Sequence, residues 1–161
     1  MYLAVISDTH SRVDQIPKAL NVFKSFEVTH VFHCGDIADA ATVRLLKGFH
    51  TYFVFGNCDG DRKAMRTAIA EIGGSCCEDF GQIEIDDKQI AFLHGDDTSR
   101  LRREAASAAH DYLFHGHSHQ AGHRQLGRTL ILNPGALHRA SRRTIAILDA
   151  ATGHFEILPI G

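Results

Sequence analysis

Hydrophobic and polar residues along the first half of the chain follow strand-like and helix-like periods in turn. Short apolar runs of β-forming residues predict strands at 2–6, 29–33 and 51–55. Apolar residues that recur every three to four positions predict helices at 16–26, 43–46 and 64–72. Gly73 and Gly74 end the last of these helices. This βαβ alternation is typical of an α/β domain.

The second half of the chain is dominated by strand-like segments. Ile83 and Ile85 alternate with polar residues, as do Ile90 and Phe92, and the polar residues 86–88 between them predict a hairpin turn. A helix is predicted at about 99–109. Further strands are predicted at 112–115, 130–132, 144–148 and 155–158, the last three as an alternating, hairpin-connected set. We expect one α/β domain over residues 1–161, in which two sheets pack together between helices.

The amino-acid composition indicates a globular protein and argues against one that binds nucleic acid through its bulk charge. A chain of 161 residues with 44% apolar and 22% charged residues is long enough for one globular core. Lys and Arg total 17 and Asp and Glu total 19, so the net charge is −2. A protein that binds nucleic acid through its bulk charge would carry a basic excess. A small phosphate-bearing substrate, held by local charge, stays compatible with this balance.

The sequence predicts a cytoplasmic protein without a membrane span. The apolar start, Met1 to Ile6, turns polar at Ser7 and is shorter than the apolar region of a signal peptide. No apolar run approaches the ~20 residues of a membrane helix. The cysteines lack zinc-ribbon spacing and are expected to be reduced; they are Cys34, Cys58, Cys76 and Cys77.

Residues of the types that bind metal ions, Asp, Asn and His, follow five of the predicted strands at the point where each strand ends. Ligands in open α/β sheets bind outside the carboxyl ends of the strands, so these side chains are expected to share one edge. Each short motif is a weak signal by itself. Burying so many polar groups without a partner would be costly, and their conjunction therefore favours metal binding. The candidate ligands are Asp8, His10, Asp36, Asn57, His94, His117 and His119.

Seven oxygen and nitrogen ligands exceed the four of a closed structural zinc site. They suit two ions that share a bridging carboxylate and keep positions open for water or substrate. Ligands without thiolate favour Mn, Fe, Zn, Co or Ni.

The motifs also resemble a known family, the calcineurin-like metallophosphoesterases, and within it the small bacterial and archaeal phosphodiesterases. They occur in the family's order over nearly the whole chain. The residues that carry the resemblance are Asp8-Thr9-His10, Gly35-Asp36-Ile37-Ala38-Asp39, Gly56-Asn57-Cys58-Asp59, His94-Gly95, Gly116-His117-Ser118-His119 and Asn133-Pro134-Gly135.

The resemblance implies a four-layer α/β/β/α sandwich, two mixed sheets flanked by helices, with a binuclear metal centre. It assigns one ion to Asp8, His10, Asp36 and His119, and the other to Asp36, Asn57, His94 and His117. Asp36 would bridge the two ions. We expect the divalent ions to be Mn²⁺, with Fe, Zn, Ni and Co as alternatives.

The expected reaction is hydrolysis of a small phosphodiester by a metal-bound water. Many relatives carry a histidine that protonates the leaving group where this chain has Cys58, a weaker acid. Asp59 is a second candidate acid, but capping of the following helix is the role that we favour for it. Asn57 and His123 are candidates for substrate binding. His138 is expected at the surface or in a turn.

Three other functions are compatible with the sequence. A non-catalytic scaffold on the same fold, a phosphomonoesterase and a nuclease are the alternatives, and nucleic acid is expected only as a substrate. All seven ligand positions hold competent ligands, which favours an enzyme over a scaffold. Arg100, Arg102 and Arg103 are expected on a solvated helix face, with contact to a phosphate as the alternative. A homo-oligomer is neither indicated nor excluded.

Overall fold

The computed structural model describes all 161 residues as two β-sheets that pack face to face, with helices on both outer sides. The helices are α1 (Ile16–Ser25), α2 (Ala40–Leu45), α3 (Arg62–Glu71) and α4 (Thr98–Ala106). The strands are β1 (Tyr2–Ile6), β2 (His30–His33), β3 (His50–Phe53), β4 (Ser75–Cys76), β5 (Phe80–Ile85), β6 (Lys88–Leu93), β7 (Tyr112–Phe114), β8 (Gly122–Leu126), β9 (Thr129–Asn133), β10 (Thr144–Asp149) and β11 (Phe155–Pro159).

Both sheets are mixed, and each contains a parallel core. The six-stranded sheet has the order β11-β10-β1-β2-β3-β4, in which β1 to β4 are parallel and β10 pairs antiparallel with β1 and β11. The five-stranded sheet has the order β5-β6-β7-β9-β8, in which β6, β7 and β9 are parallel. The loops after β1, β2 and β3, and those after β6 and β7, therefore leave the carboxyl edge of each parallel core.

Three apolar layers separate the four structural layers. The largest lies between the six-stranded sheet and helices α1 to α3, and includes Ile6, Phe23 and Phe53. The second lies between the two sheets. A small third layer lies under α4, where Ala105 packs with Ile131. The expected four-layer α/β/β/α sandwich is thus confirmed.

Three of the helices begin at an aspartate. The side chains of Asp39, Asp61 and Asp97 each accept the backbone N–H of the third residue after them, and so cap α2, α3 and α4. Helix α1 has no side-chain cap but carries a proline in its first turn. None of the four helices combines the length and the apolar character needed to cross a bilayer.

Two features of the strands differ from the sequence-based expectation. Strands β4 and β8 were not predicted, since β4 has two residues and β8 is polar and largely exposed. The last three predicted strands do not form one hairpin-connected set: β9 belongs to the five-stranded sheet, whereas β10 and β11 belong to the other. Sheet membership depends on pairing with strands distant in sequence, which local alternation does not report.

Replacing Phe32 with alanine should lower the free energy of unfolding by about 3–5 kcal/mol. Phe32 is fully buried between the sheets, and its ring centroid lies 5.2 Å from those of Phe92 and Phe114. Urea unfolding followed by circular dichroism measures the loss. Tyr2→Ala, at a side chain that is 41% exposed, is the control and should cost about 1 kcal/mol or less. Equal losses in the two variants would contradict this placement of the core.

Candidate metal centre

Loops from both sheets bring six of the seven predicted ligands together at the carboxyl edge. The first sheet supplies Asp8 and His10 after β1 and Asp36 after β2, and the second supplies His94 after β6 and two histidines after β7. Close contacts join the six side chains into one cluster. They are Asp8, His10, Asp36, His94, His117 and His119.

The two oxygens of Asp8 have different surroundings. Oδ2 accepts hydrogen bonds from the Ser7 hydroxyl at 2.6 Å and from the His117 backbone N–H at 3.1 Å. Oδ1 lies 3.0 Å from Nε2 of His119 and 3.7 Å from Nε2 of His10. The protein thus holds one oxygen in place and presents the other to two imidazoles.

Asp36 shows the same division between its two oxygens. Oδ1 accepts the backbone N–H of Cys58 at 2.9 Å. Oδ2 lies 3.3 Å from Nε2 of His94 and 3.4 Å from Nε2 of His10. Asp36 therefore faces imidazoles from both sheets, and its free oxygen lies between them.

Contacts on the far side of two imidazole rings fix which nitrogen faces the centre. Nδ1 of His94 lies 2.8 Å from the carbonyl oxygen of Cys34, to which it donates, so Nε2 is left as the acceptor. That nitrogen lies 3.3 Å from Nδ1 of His117. Nδ1 of His119 faces the carbonyl oxygen of Arg139 at 3.3 Å, which leaves Nε2 toward Asp8. The free nitrogens converge on the two carboxylates.

Five of the clustered residues have a left-handed backbone. Such values are uncommon for residues other than glycine, although Asp and His tolerate them better than most. Strained backbone of this kind costs roughly 1 kcal/mol or more per residue and is concentrated at functional sites. The φ angles are 54° at Asp8, 42° at His10, 54° at Asp36, 68° at His117 and 58° at His119.

Two glycines allow the ligand loops to approach closely. A Cβ on Gly56 would lie 2.2 Å from Oδ1 of Asp36. A Cβ on Gly116 would lie 1.9 Å from Oγ of Ser7 and 2.7 Å from Oδ2 of Asp8. Any side chain at either position would displace a carboxylate, so the glycines in these motifs are required by packing.

The cluster favours ionised carboxylates beside imidazoles. Burial opposes ionisation of Asp36, but its contact with His94 and the hydrogen bond from the Cys58 N–H outweigh it and hold the Asp36 pKa well below its ordinary value. Burial likewise opposes ionisation of Asp8, yet its contacts with His10 and Ser7 lower the pKa of that carboxyl. Burial would lower the pKa of His94, but its contact with Asp36 raises it. The site therefore attracts positive charge.

The donor set fits a divalent cation. Asp8 Oδ1 and His10 Nε2 are buried atoms without a hydrogen-bond partner, an arrangement that is costly unless another group binds there. Carboxylate and imidazole are ligands of Mn, Fe, Zn, Co and Ni. Three overlapping groups place their ligand atoms within 4.8 Å of one another: Asp8, His10 and His119; His10, Asp36 and Cys58; Asp8, Asp36 and His94.

Asn57 is the one predicted ligand that the structure does not bring into the cluster. Its side chain is exposed, and its Nδ2 lies 3.7 Å from Sγ of Cys58. Cys58 is also exposed, and its sulfur belongs to the same group as the ligand atoms of His10 and Asp36. The loop after β3 therefore presents a thiol to the centre and an amide at its rim.

Asp59 holds two ligand loops together. Its buried carboxylate accepts the backbone N–H of Ala38 and that of Gly56, both at 2.8 Å. The capping role considered for Asp59 is wrong, because Asp61 caps α3. The sequence Asp59-Gly60-Asp61 contains two possible caps, and only the position of the first helical turn distinguishes them. Asp59 links the loop of Asp36 to the loop of Asn57.

His123 lies away from the clustered ligands. It belongs to β8, and its ring packs against Phe155 with centroids 4.7 Å apart. His138, expected at the surface or in a turn, lies in a partly exposed bend at the rim of the site, with its ring centroid 5.3 Å from that of His10. Its position three residues after the Asn133-Pro134-Gly135 motif was the available signal. Ser7, directly before a ligand, was also missed.

Two further polar residues, His33 and Asn133, support the ligand loops through hydrogen bonds. His33 is fully buried, accepts the Gly35 N–H at Nδ1 and contacts the Thr9 hydroxyl through Nε2 at 3.1 Å. Burial lowers the pKa of His33 to about 3, so this ring stays neutral. Asn133 donates from Nδ2 to the Gly116 carbonyl and the Ser118 hydroxyl. These contacts fix the loops that carry the ligands.

Comparisons with known proteins agree with this geometry. The chain is similar to a phosphodiesterase from Methanocaldococcus jannaschii, with 29% identity over 154 residues, which cover 92% of this chain and 93% of that relative. A solved structure of an archaeal phosphodiesterase has a TM-score of 0.93 and 27% identity, and the match covers 99% of both chains. Vacuolar protein sorting 29 from Cryptosporidium parvum shares the fold, with a TM-score of 0.70 and 16% identity over 98% of this chain and 95% of that one.

The family model for the calcineurin-like phosphoesterase superfamily domain matches residues 1–153. That match spans every motif from Asp8 to Asn133, and the resemblance drawn from the sequence is confirmed. Metal-dependent hydrolysis of phosphoesters is the activity of this class of enzyme, and the clustered carboxylates and imidazoles supply suitable ligands for its ions. The chain therefore belongs to the calcineurin-like phosphoesterase superfamily.

Proposed function

We propose that this chain hydrolyses small phosphodiesters with two divalent metal ions bound at the carboxyl edge of its sheets. One observation carries the proposal: Asp8 and Asp36 each have one oxygen held by protein donors and the other turned toward imidazoles. The names of the similar phosphodiesterases support the choice of diesters. Manganese is the proposed ion, since the ligands are carboxylate and imidazole.

The proposed ligand sets follow the two halves of the cluster. Asp8, His10, Asp36 and His119 would hold one ion, and Asp36, Asn57, His94 and His117 the other. The contacts of Asp36 Oδ2 with His10 and with His94 support its assignment as the bridge. The Asn57 side chain, exposed beside Cys58, would have to turn inward to complete the second set.

The residues at the site have different roles in the proposed hydrolysis. Bound divalent ions supply Lewis acidity, which acidifies water and offsets negative charge on phosphoryl oxygens. Asp8 and Asp36 hold the geometry, because their second oxygens are tied to the backbone and to Ser7. His138 lies at the rim beside His10, where it borders the path of an entering substrate.

By the resemblance drawn from the sequence, Cys58 stands where many relatives carry the histidine that protonates the leaving group. Burial, with a contribution from the charge of Asp36, raises the pKa of this thiol, so the sulfur keeps its proton near neutral pH. A thiol with a raised pKa is a weak acid for an alkoxide. Esters whose leaving groups depart without strong protonation are therefore the better substrates, and we propose phosphodiesters of this kind over unactivated monoesters.

We also propose a reducing compartment, the cytoplasm. All four cysteines are free thiols, and Cys76 and Cys77 are neighbours that make poor partners for each other. Nucleic acid is proposed only as a substrate. The net charge of −2 lacks the basic excess that a protein needs to bind nucleic acid through its bulk charge.

Replacing Asp36 with asparagine should abolish metal binding and activity together. The change removes the negative charge shared by both ligand sets, and loss of a direct ligand should cost more than the 10- to 100-fold that outer contacts typically cost. Metal content by mass spectrometry and hydrolysis of bis(4-nitrophenyl) phosphate with Mn²⁺ measure the two effects. Asp87→Asn, in the β5–β6 turn, is the matched control and should retain both. Full metal content with full turnover in Asp36→Asn would contradict the assignment.

Removal of metal should stop hydrolysis and lower thermal stability. A ligand that binds only the folded state stabilises it, and an ion would relieve the unpartnered atoms of Asp8 and His10. Turnover and the melting temperature are measured after chelation and after addition of Mn²⁺, Fe²⁺, Zn²⁺, Co²⁺ or Ni²⁺. Anomalous scattering identifies the native ions. A folded protein without turnover with any of these ions would favour the scaffold function.

Replacing Cys58 with histidine should improve hydrolysis of esters with poor leaving groups. An imidazolium is a stronger acid than this thiol. The rate of hydrolysis should therefore increase more for phenyl phosphate than for 4-nitrophenyl phosphate, by about ten-fold or more. Steady-state rates over a series of substituted phenyl esters measure the dependence on the leaving group. Cys58→Ala is the control, and its dependence should match that of the wild type. A steeper dependence in Cys58→Ala would show that the thiol is itself the acid.

A further inference from the structure

A groove of about 440 Å³ lies on the outer face of the five-stranded sheet, between α4 and β8. Helix α4 has nine residues and packs over Ala91, Leu93 and Leu113, so it leaves the β9–β8 side of this face open. Leu101, Ala105, Ala121 and Ile131 form the apolar part of the groove lining. The volume lies within the range of small-molecule pockets.

The charged part of the lining is entirely basic. Arg102 projects from α4 and Arg124 from β8, and the lining contains no aspartate or glutamate. Neither guanidinium forms an ion pair; five of the chain's twelve arginines do. The groove therefore holds two cations that no carboxylate of the protein neutralises.

Hydrogen-bonding groups line the end of the groove nearest the metal centre. Ser118 supplies a hydroxyl and Gln120 an amide there, and the buried Asn133 lies behind Ser118, to whose hydroxyl it donates. None of the six clustered ligands lines the groove. Ser118 lies between His117 and His119 in sequence, so the loop that carries these ligands separates the groove from the metal centre. The groove is thus a distinct site that shares one wall with the metal centre.

We propose that this groove binds an organic phosphate the size of a mononucleotide. Arg102 and Arg124 would bind the phosphate, because guanidinium groups form paired, charge-assisted hydrogen bonds with phosphate oxygens. The apolar part of the lining accommodates the organic part, and the Gln120 amide and the Ser118 hydroxyl bind its polar edges. This assignment stands on residues outside the proposed metal centre and does not depend on hydrolysis.

Titration of the full chain with adenosine 5′-monophosphate tests the proposal, by calorimetry in the presence of a chelator so that no metal ion binds the phosphate. We expect saturable binding of one molecule per chain. The double variant Arg102→Gln/Arg124→Gln should bind at least about ten-fold more weakly, since it removes both charged donors. Gly122→Glu should also weaken binding, because a side chain there meets open space in the groove and adds a negative charge.

The controls separate this site from other sources of binding. Arg128→Gln removes an arginine that is paired with Asp111 and lies outside the groove, so it should bind like the wild type. Adenosine without phosphate should not bind measurably, and inorganic phosphate should bind more weakly than the nucleotide. All variants should hydrolyse bis(4-nitrophenyl) phosphate with Mn²⁺ within about two-fold of the wild type, which shows that the fold and the metal centre are intact.

Several results would overturn the proposal. These are absence of nucleotide binding, full binding by the double variant, equal loss in Arg128→Gln, and equal affinity for inorganic phosphate and the nucleotide. Because these measurements are made without metal, an inactive metal centre leaves them unaffected. Failure of the groove and failure of the proposed hydrolase activity are therefore distinguishable.

Discussion

The structure of the metal centre depends on keeping two buried carboxylates ionised close to shared imidazoles. Asp8 and Asp36 are nearly inaccessible to water, and burial alone would favour their neutral forms. Hydrogen bonds from Ser7 and from backbone N–H groups hold one oxygen of each, and imidazole nitrogens lie near the other. Burial would lower the pKa of His94, but its contact with Asp36 raises it, so positive charge is favoured beside this carboxylate. A divalent cation satisfies the same demand more completely.

That arrangement is maintained against backbone strain. The left-handed conformations at Asp8, Asp36 and His117 have no stabilising effect of their own, so the surrounding structure must hold them. Rigid strands lie on the amino-terminal side of each ligand loop, and Asp59, His33 and Asn133 link the loops to one another. The apolar layers between and outside the sheets supply the stability that offsets the strain.

The sequence predicted the parts of the site that follow from local chemistry. A change from apolar to ligand residues at a strand end is visible in a short window, and parallel strands bring such ends to one edge. Other features depend on residues that lie outside such a window. They are the assignment of β9 and β10 to different sheets, the choice of Asp61 over Asp59 as a cap, and the placement of His138 against His10. Asn57 was predicted by motif, but a motif does not report the direction of its side chain, which is exposed beside Cys58.

The loop of residues 116–119 shows how one segment can serve two chemistries. The His119 side chain faces Asp8 and the His117 side chain faces His94, whereas Ser118 faces the basic groove on the outer sheet face. Asn133 donates to both Gly116 and Ser118, so the loop is held from the groove side. The basic groove and the acidic centre are therefore separate sites on opposite sides of one loop, and Asn133 holds that loop in place.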